Sequence, residues 1–195
     1  MHKNIFEDRH FEGTDYTQNG LEKGRYENCA FRDCLLSGSD LSEIVFLECT
    51  FRNCDLSMAA LKKTALRDVR FQDCKLMGLH FDDCHDFLFK TAFEGCLMNY
   101  ATFCQFGLKG TVFSHCNLEE ADFTAADLTA AEFDHCDLTG AIFEDTILHK
   151  ADFRTATNYA MDPEKNRLAG AKFSTPGVLG LLVKFGIEVD GSSLR

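Results

Sequence analysis

Between Ala125 and Phe143 the chain reads AADLTAAEFDHCDLTGAIF, which sets Leu128, Phe133, Leu138 and Phe143 five residues apart. An α-helix buries residues at steps of three and four, and a half-buried strand buries alternate residues, so a period of five fits neither. Two positions before each large residue stands a small one, namely Ala126, Ala131, Cys136 and Ala141. The unit is therefore small, any, large, any, any, with two side chains in every five directed inward.

The period begins at Phe6 and runs through Phe11, Tyr16, Leu21, Tyr26 and each fifth residue to Phe81 without a miss. It restarts at Leu88 and continues through Phe93, Met98 and Phe103 to Phe153. The interruption reads as a two-residue bulge at Asp82 to Phe87.

Units such as ADFTA, ADLTA, CDLTG and CKLMG resemble those of the pentapeptide-repeat proteins over about residues 4 to 157. The resemblance implies an all-β fold, a right-handed quadrilateral parallel β-helix in which four units make a coil of about twenty residues. About seven to eight coils are expected. Coils of that size stack like on like, and the sequence agrees. Steps of twenty from Phe11 give Phe31, Phe51 and Phe71, and past the bulge Phe93, Phe113, Phe133 and Phe153. The same insertion aligns Cys34, Cys54, Cys74, Cys96, Cys116 and Cys136. At the ~4.8 Å spacing of neighbouring strands the coils make a rod roughly 36 Å long. The expected division is 1–160 as β-helix and 161–195 as a last unit, cap and dimerisation helix.

At 195 residues and 45% hydrophobic content the chain buries a sizeable core. No apolar run approaches the ~18 residues that span a membrane, and MHKNIFEDRHFEG lacks a basic region followed by an apolar one, so a cytoplasmic protein with no membrane contact is expected. Nine of the ten cysteines occupy the small inward position, Cys104 being the exception, and none forms a CxxC pair. Stacked residues ~4.8 Å apart do not turn towards each other as a disulfide requires, so these read as buried reduced thiols in a reducing compartment.

His115 and His135 lie one coil apart beside ladder cysteines, but the repeat points the histidines outward and the cysteines inward, so no metal site is expected. The sequence holds no phosphate-binding loop, no GxSxG elbow and no dinucleotide fingerprint. A convex rod offers carboxylates no pocket to shift their pKa values. Neither an enzyme nor a cofactor is expected.

The repeat gives way in NYAMDPEKNRLAGAKFSTPGVLGLLVKFGIEVDGSSLR, which holds both prolines and a last apparent unit at Ala171 and Phe173. Thr175 as cap, Pro176 in the first turn and Gly186 as terminator predict a short helix. It carries Val178, Leu179, Leu181, Leu182, Val183 and Phe185, more apolar surface than one face needs. Part should cover the open end of the β-helix, whose strand edges would otherwise aggregate. Val178, Leu179, Leu182, Val183 and Phe185 remain as a two-fold homodimer contact, giving a rod about 70–90 Å long.

Charge is uneven along the chain. The total is −11, and residues 111–153 alone carry −9. Their acidic residues are Glu119, Glu120, Asp122, Asp127, Glu132, Asp134, Asp137, Glu144, Asp145 and Asp152, all at outward positions and spread over four faces as a belt. Such a sign disfavours direct nucleic-acid binding, since duplex DNA itself carries about one negative charge per 1.7 Å. A dimer would present two such belts beside its centre.

The nearly unbroken repeat, the aromatic inward positions and the apolar segment after MDPEKNRLAGAKF resemble the quinolone-resistance (Qnr-type) proteins. That resemblance implies DNA mimicry, in which an acidic dimer occupies the DNA-binding surface of DNA gyrase or topoisomerase IV. Many of those relatives carry sizeable loops; here only the bulge interrupts the repeat, as in the loop-free members. The alternative is an interaction scaffold for some other basic partner.

Overall fold

The computed structural model describes residues 4–187 and residue 189. The strands are β1 (Ile5–Glu7), β2 (His10–Glu12), β3 (Arg25–Glu27), β4 (Ala30–Arg32), β5 (Val45–Leu47), β6 (Thr50–Arg52), β7 (Ala65–Gln72), β8 (Lys90–Glu94), β9 (Val112–Ser114) and β10 (Glu132–Asp134). All pair in parallel with the coil above or below, and isolated parallel bridges continue the ladder on the other faces, for example Asp122↔Ile142 and Asp137↔Thr157. Same-sheet parallel connections of right-twisted strands wind right-handed, which gives the expected right-handed four-sided β-helix.

Each face ends in a corner, and the corners explain why a three-residue strand suffices. The residue two places after a large inward one commonly adopts positive φ. Asn28, Asp33 and Asp73 tolerate this conformation comparatively well, but Met58, Tyr100, Ala125 and Ala130 adopt it too. Local preference is overridden because most corner amides are tied to the next coil, as in Ala125 N–H to Glu144 O at 2.7 Å.

Inside, the columns expected from steps of twenty are stacks of rings. Phe93, Phe113, Phe133 and Phe153 lie face to face at 5.1, 5.1 and 4.7 Å between centroids. A second stack, Phe81, Phe103, Phe123 and Phe143, meets the first edge to face, with Phe113 and Phe123 6.1 Å apart at 81°. Both geometries satisfy the ring quadrupole.

All ten cysteines are free, and nine are buried; Cys104 is the half-exposed one. The ladder thiols do more than fill space. Cys136 Sγ donates to Phe113 O at 3.3 Å and Cys74 Sγ to Phe51 O at 3.4 Å, linking a coil to its predecessor. Thr64 and Thr146, at equivalent inward positions, do the same with hydroxyls, to Leu41 O and Phe123 O.

Two expectations need correction. The repeat does not resume at Leu88, which is 62% exposed; Phe89 turns inward instead and packs edge-on against Phe106 at 4.7 Å. The insertion falls between His85 and Lys90, overlapping the end of the expected Asp82 to Phe87 bulge: His85 N–H donates to Thr64 O at the twenty-one-residue separation that Ala65 N–H to Ile44 O keeps in the unshifted ladder, whereas Lys90 lies twenty-three above Arg67 and Thr91 twenty-two above Val69, where twenty is the rule. The chain overshoots by one residue, and a bulge at Asp68 restores the register.

The second correction concerns the C-terminal segment. In place of one α-helix, two 3₁₀ turns, Gly177–Leu181 and Val183–Phe185, lie over the last coil. The expected Thr175 cap is replaced by Ser174, whose Oγ accepts from Gly177 N–H at 3.1 Å, while Gly186 ends the segment in the left-handed conformation as expected. Gly180 shows why tighter turns form. Its Cα sits so close to Tyr159 that a Cβ would fall 2.2 Å from Tyr159 O, and Met161 N–H donates to Gly180 O.

Phe133→Ala should lower stability by about 3–5 kcal/mol because it removes a ring from two sets of contacts. Cys116→Ala should cost far less, and thermal melts of the two variants check the order.

Candidate partner-binding surface

The belt residues occupy two kinds of position, and the difference sets what each carboxylate does. Asp122, Asp127, Asp137 and Asp152 stand just before a large inward residue and close an Asx turn. Their Oδ1 atoms accept from the backbone N–H of Thr124, Thr129, Thr139 and Arg154 at 2.8–3.1 Å. Asp15, Asp40 and Asp55, outside the belt, do the same, so this aspartate is first a device of the fold.

Glu120, Glu132 and Asp145 have no side-chain hydrogen bond or ion pair among the described residues. Asp134 is held by His135, Ser114 and Thr155, and Glu119 accepts from Asn99 Nδ2. The four-sided winding carries the ten acidic residues round the rod: Glu132, Asp134 and Asp152 share one face, Asp137 the next, Asp122 the third and Asp127 the fourth, with Glu119, Glu120, Glu144 and Asp145 at corners.

Cations meet the belt on its C-terminal side. Arg154 forms a two-toothed pair with Asp152, Lys172 reaches the same carboxylate at 3.3 Å, and Lys165 pairs with Glu144 at 3.0 Å. Lys109 pairs with Asp127 from the other side. The arginine beside it, then Lys172, hold the Asp152 carboxyl down to about 2, against some burial. For Asp127 and Asp137, hydrogen bonds from Thr129 and Lys109 and from Asn158 and Thr139 outweigh burial and lower the pKa. One face of the belt is thereby partly neutralised. Lys165, Lys172 and Lys109 lie about twenty residues from their partners in the chain, and only the coil brings them together, whereas Arg154 stands two residues from Asp152.

The residues expected to form a dimer contact are partly exposed in the single chain. Val178, Leu179, Val183 and Phe185 are exposed and Leu182 half-buried, while Leu181 packs on the core. Lys184 ties this cap to the preceding loop through Asp162 and Glu164, each at 2.6 Å.

His115 and His135 stack at 5.0 Å on the outside, away from the buried thiols, and no group of three or more potential metal ligands occurs among the described residues. Burial, then neighbouring Asp122, pushes the half-exposed Cys104 thiol up to about 11, away from the thiolate range of reactive cysteines. No helix among the described residues is long and apolar enough to cross a membrane.

A sequence model described as a pentapeptide repeat region matches residues 24–103, and one described as pentapeptide repeats in eight copies matches 88–124, 108–145 and 121–157. Between them they span 24–157. Among solved structures, a trypsin-treated form of QnrB1, a plasmid-mediated fluoroquinolone resistance protein, is 19% identical with a TM-score of 0.53, over 96% of this chain and 92% of that one. HetL, a pentapeptide repeat protein involved in heterocyst differentiation regulation from the cyanobacterium Nostoc sp. strain PCC 7120, is 18% identical with a TM-score of 0.35, over 86% of each chain. No curated protein matches the chain.

The depressed Asp152 carboxyl has a pH consequence. Its folded-state pKa of about 2 lies below the ordinary 3.8, so its stabilisation is complete above about pH 4 and is lost as pH falls towards 2. Asp152→Asn should therefore flatten part of the acid-side fall in melting temperature between about pH 4 and 2, which thermal melts across that range check.

Proposed function

The chain belongs to the pentapeptide-repeat family, and from its acidic belt we propose that it is a DNA mimic that binds DNA gyrase or topoisomerase IV and modulates the enzyme or protects it from quinolones or gyrase-directed toxins. The observation that carries the reading is the concentration of −9 of the chain's −11 charge in residues 111–153, wrapped round a slim rod. The rod repeats at ~4.8 Å per coil, and a basic groove shaped for duplex DNA meets it as a line of fixed anions. No chemistry is required of the protein.

A two-fold dimer through Val178, Leu179, Leu182, Val183 and Phe185 belongs to the same proposal. It sets two belts on either side of the centre, −18 in all, along one two-fold rod. The cytoplasm is the proposed compartment, where the ten free thiols stay reduced.

The carboxylates without partners are the ones to reverse. Glu120, Glu132 and Asp145 changed together to lysine shift the chain by six charge units and leave every Asx turn intact. Lys63 and Lys150 already adopt the left-handed corner that positions 120 and 145 require. Gyrase binding should fall steeply, linear DNA should compete with the unaltered protein, and both effects should weaken with salt as the screening length drops from ~10 Å at 0.1 M to ~3 Å at 1 M. Lysine at Glu7, Glu12 and Glu43, far from the belt, should have a smaller effect. Simultaneous binding of DNA and protein, or equal loss in both triple variants, favours the scaffold for another basic partner.

Truncation after Ser174 should leave the coils and convert a dimer into a monomer or an aggregating species. Light scattering at micromolar concentration reads the outcome, and a monomeric full-length chain removes the dimer from the proposal.

A further inference from the structure

The inserted residues open the wall of the rod. Where β7 and β8 slip register, a cavity of about 740 Å³ lies on the outside, within the ~300–1,000 Å³ range of small-ligand sites. Its apolar lining comes from Leu47, Leu88, Phe89, Ala92 and Val112. Four cations and two carboxylates complete it, which makes a positive island on a chain whose net charge is −11.

The cations are not equivalent. Lys90 is paired with Asp68 at 2.9 Å and Lys109 with Asp127 at 3.1 Å, while Glu48 is the other carboxylate. Arg67 and Arg70 form no ion pair among the described residues; Arg67 lies over the exposed ring of Phe87 at 5.9 Å. Arg67 Nε is moreover out of solvent with no acceptor.

Thr91, also lining the cavity, shows how the slip produced this. It takes the small inward position at which Cys29 and Cys49 donate to Phe6 O and Tyr26 O of the coil before. Its own Oγ1 is buried and has no partner, because the bulge displaces the carbonyl it would reach. The wall is thus least satisfied where the free cations stand.

We propose that this cavity binds a small organic anion, an apolar ring system bearing one carboxylate or sulfonate, with the ring against Phe89 and Val112 and the acid group on Arg67 and Arg70. The apolar lining favours the ring, and planar guanidinium groups grip an acid group in a fork. The site meets the acidic belt only through the Lys109–Asp127 pair, and it requires no topoisomerase.

Gly107 provides a steric control. It is an outward residue of the ladder, bridged to Asp127, and an added Cβ there meets no atom within 4 Å. Ile147 occupies the same column two coils on, so isoleucine suits the backbone.

The test uses the full chain and 2-naphthoate, followed by the probe's own fluorescence, which a protein without tryptophan leaves unobscured. Saturable binding of one probe per chain is expected. Arg70→Gln should weaken it about tenfold or more, Gly107→Ile should abolish it without lowering the melting temperature, and Arg32→Gln, outside the cavity, should leave it unchanged. The neutral 2-naphthalenemethanol should bind at least about tenfold more weakly. The proposal is overturned if the intact protein shows no saturable binding up to about 1 mM, if Arg70→Gln and Gly107→Ile both leave the affinity unchanged, or if the neutral alcohol binds equally well.

Discussion

The parallel ladder between coils is the constraint on which the rest depends. It sets a residue directly over the one twenty positions earlier, as Phe133 over Phe113 and Asp152 over Glu132. Like side chains therefore meet like. Rings answer by stacking at about van der Waals distance, and small polar side chains by donating to the carbonyl of the previous coil, as Cys136 and Thr146 do. Most of this stabilisation is between nearest neighbours, so a large core forms without distant parts of the chain packing together.

The same rule is unfavourable for charge, which stacks like on like unless the sequence intervenes. Three devices limit the repulsion in the belt. Aspartates before the large residue are absorbed into Asx turns, Asp134 is surrounded by His135, Ser114 and Thr155, and Arg154, Lys165 and Lys172 stand on the C-terminal side. Glu120, Glu132 and Asp145 are left as belt carboxylates without a side-chain partner among the described residues.

Departures from the rule lie where the coil count changes. At the bulge, Phe89 replaces Leu88 as the inward residue, Thr91 loses its acceptor, and Arg67 and Arg70 are brought to one opening. After the last coil of the described residues, two 3₁₀ turns pressed against Tyr159 close the core from that side.

The period of five by itself determined the coil, the inward columns, the free thiols and the outward course of the acidic belt, because a solenoid's contacts recur at a fixed sequence separation and are therefore written in the order of residues. Tertiary structure decided what that periodicity does not encode. The helix-like pattern from Val178 to Phe185 becomes 3₁₀ because Tyr159 lies against Gly180, a contact between segments with no repeat between them. The bulge shifts past His85 because Phe89 fills the core better against Phe106 than Leu88 does from a left-handed corner. Lys172 reaches Asp152, and Arg67 comes to one cavity with Lys109, through the winding of the chain, and charge counted along the sequence is blind to partners that only that winding makes neighbours.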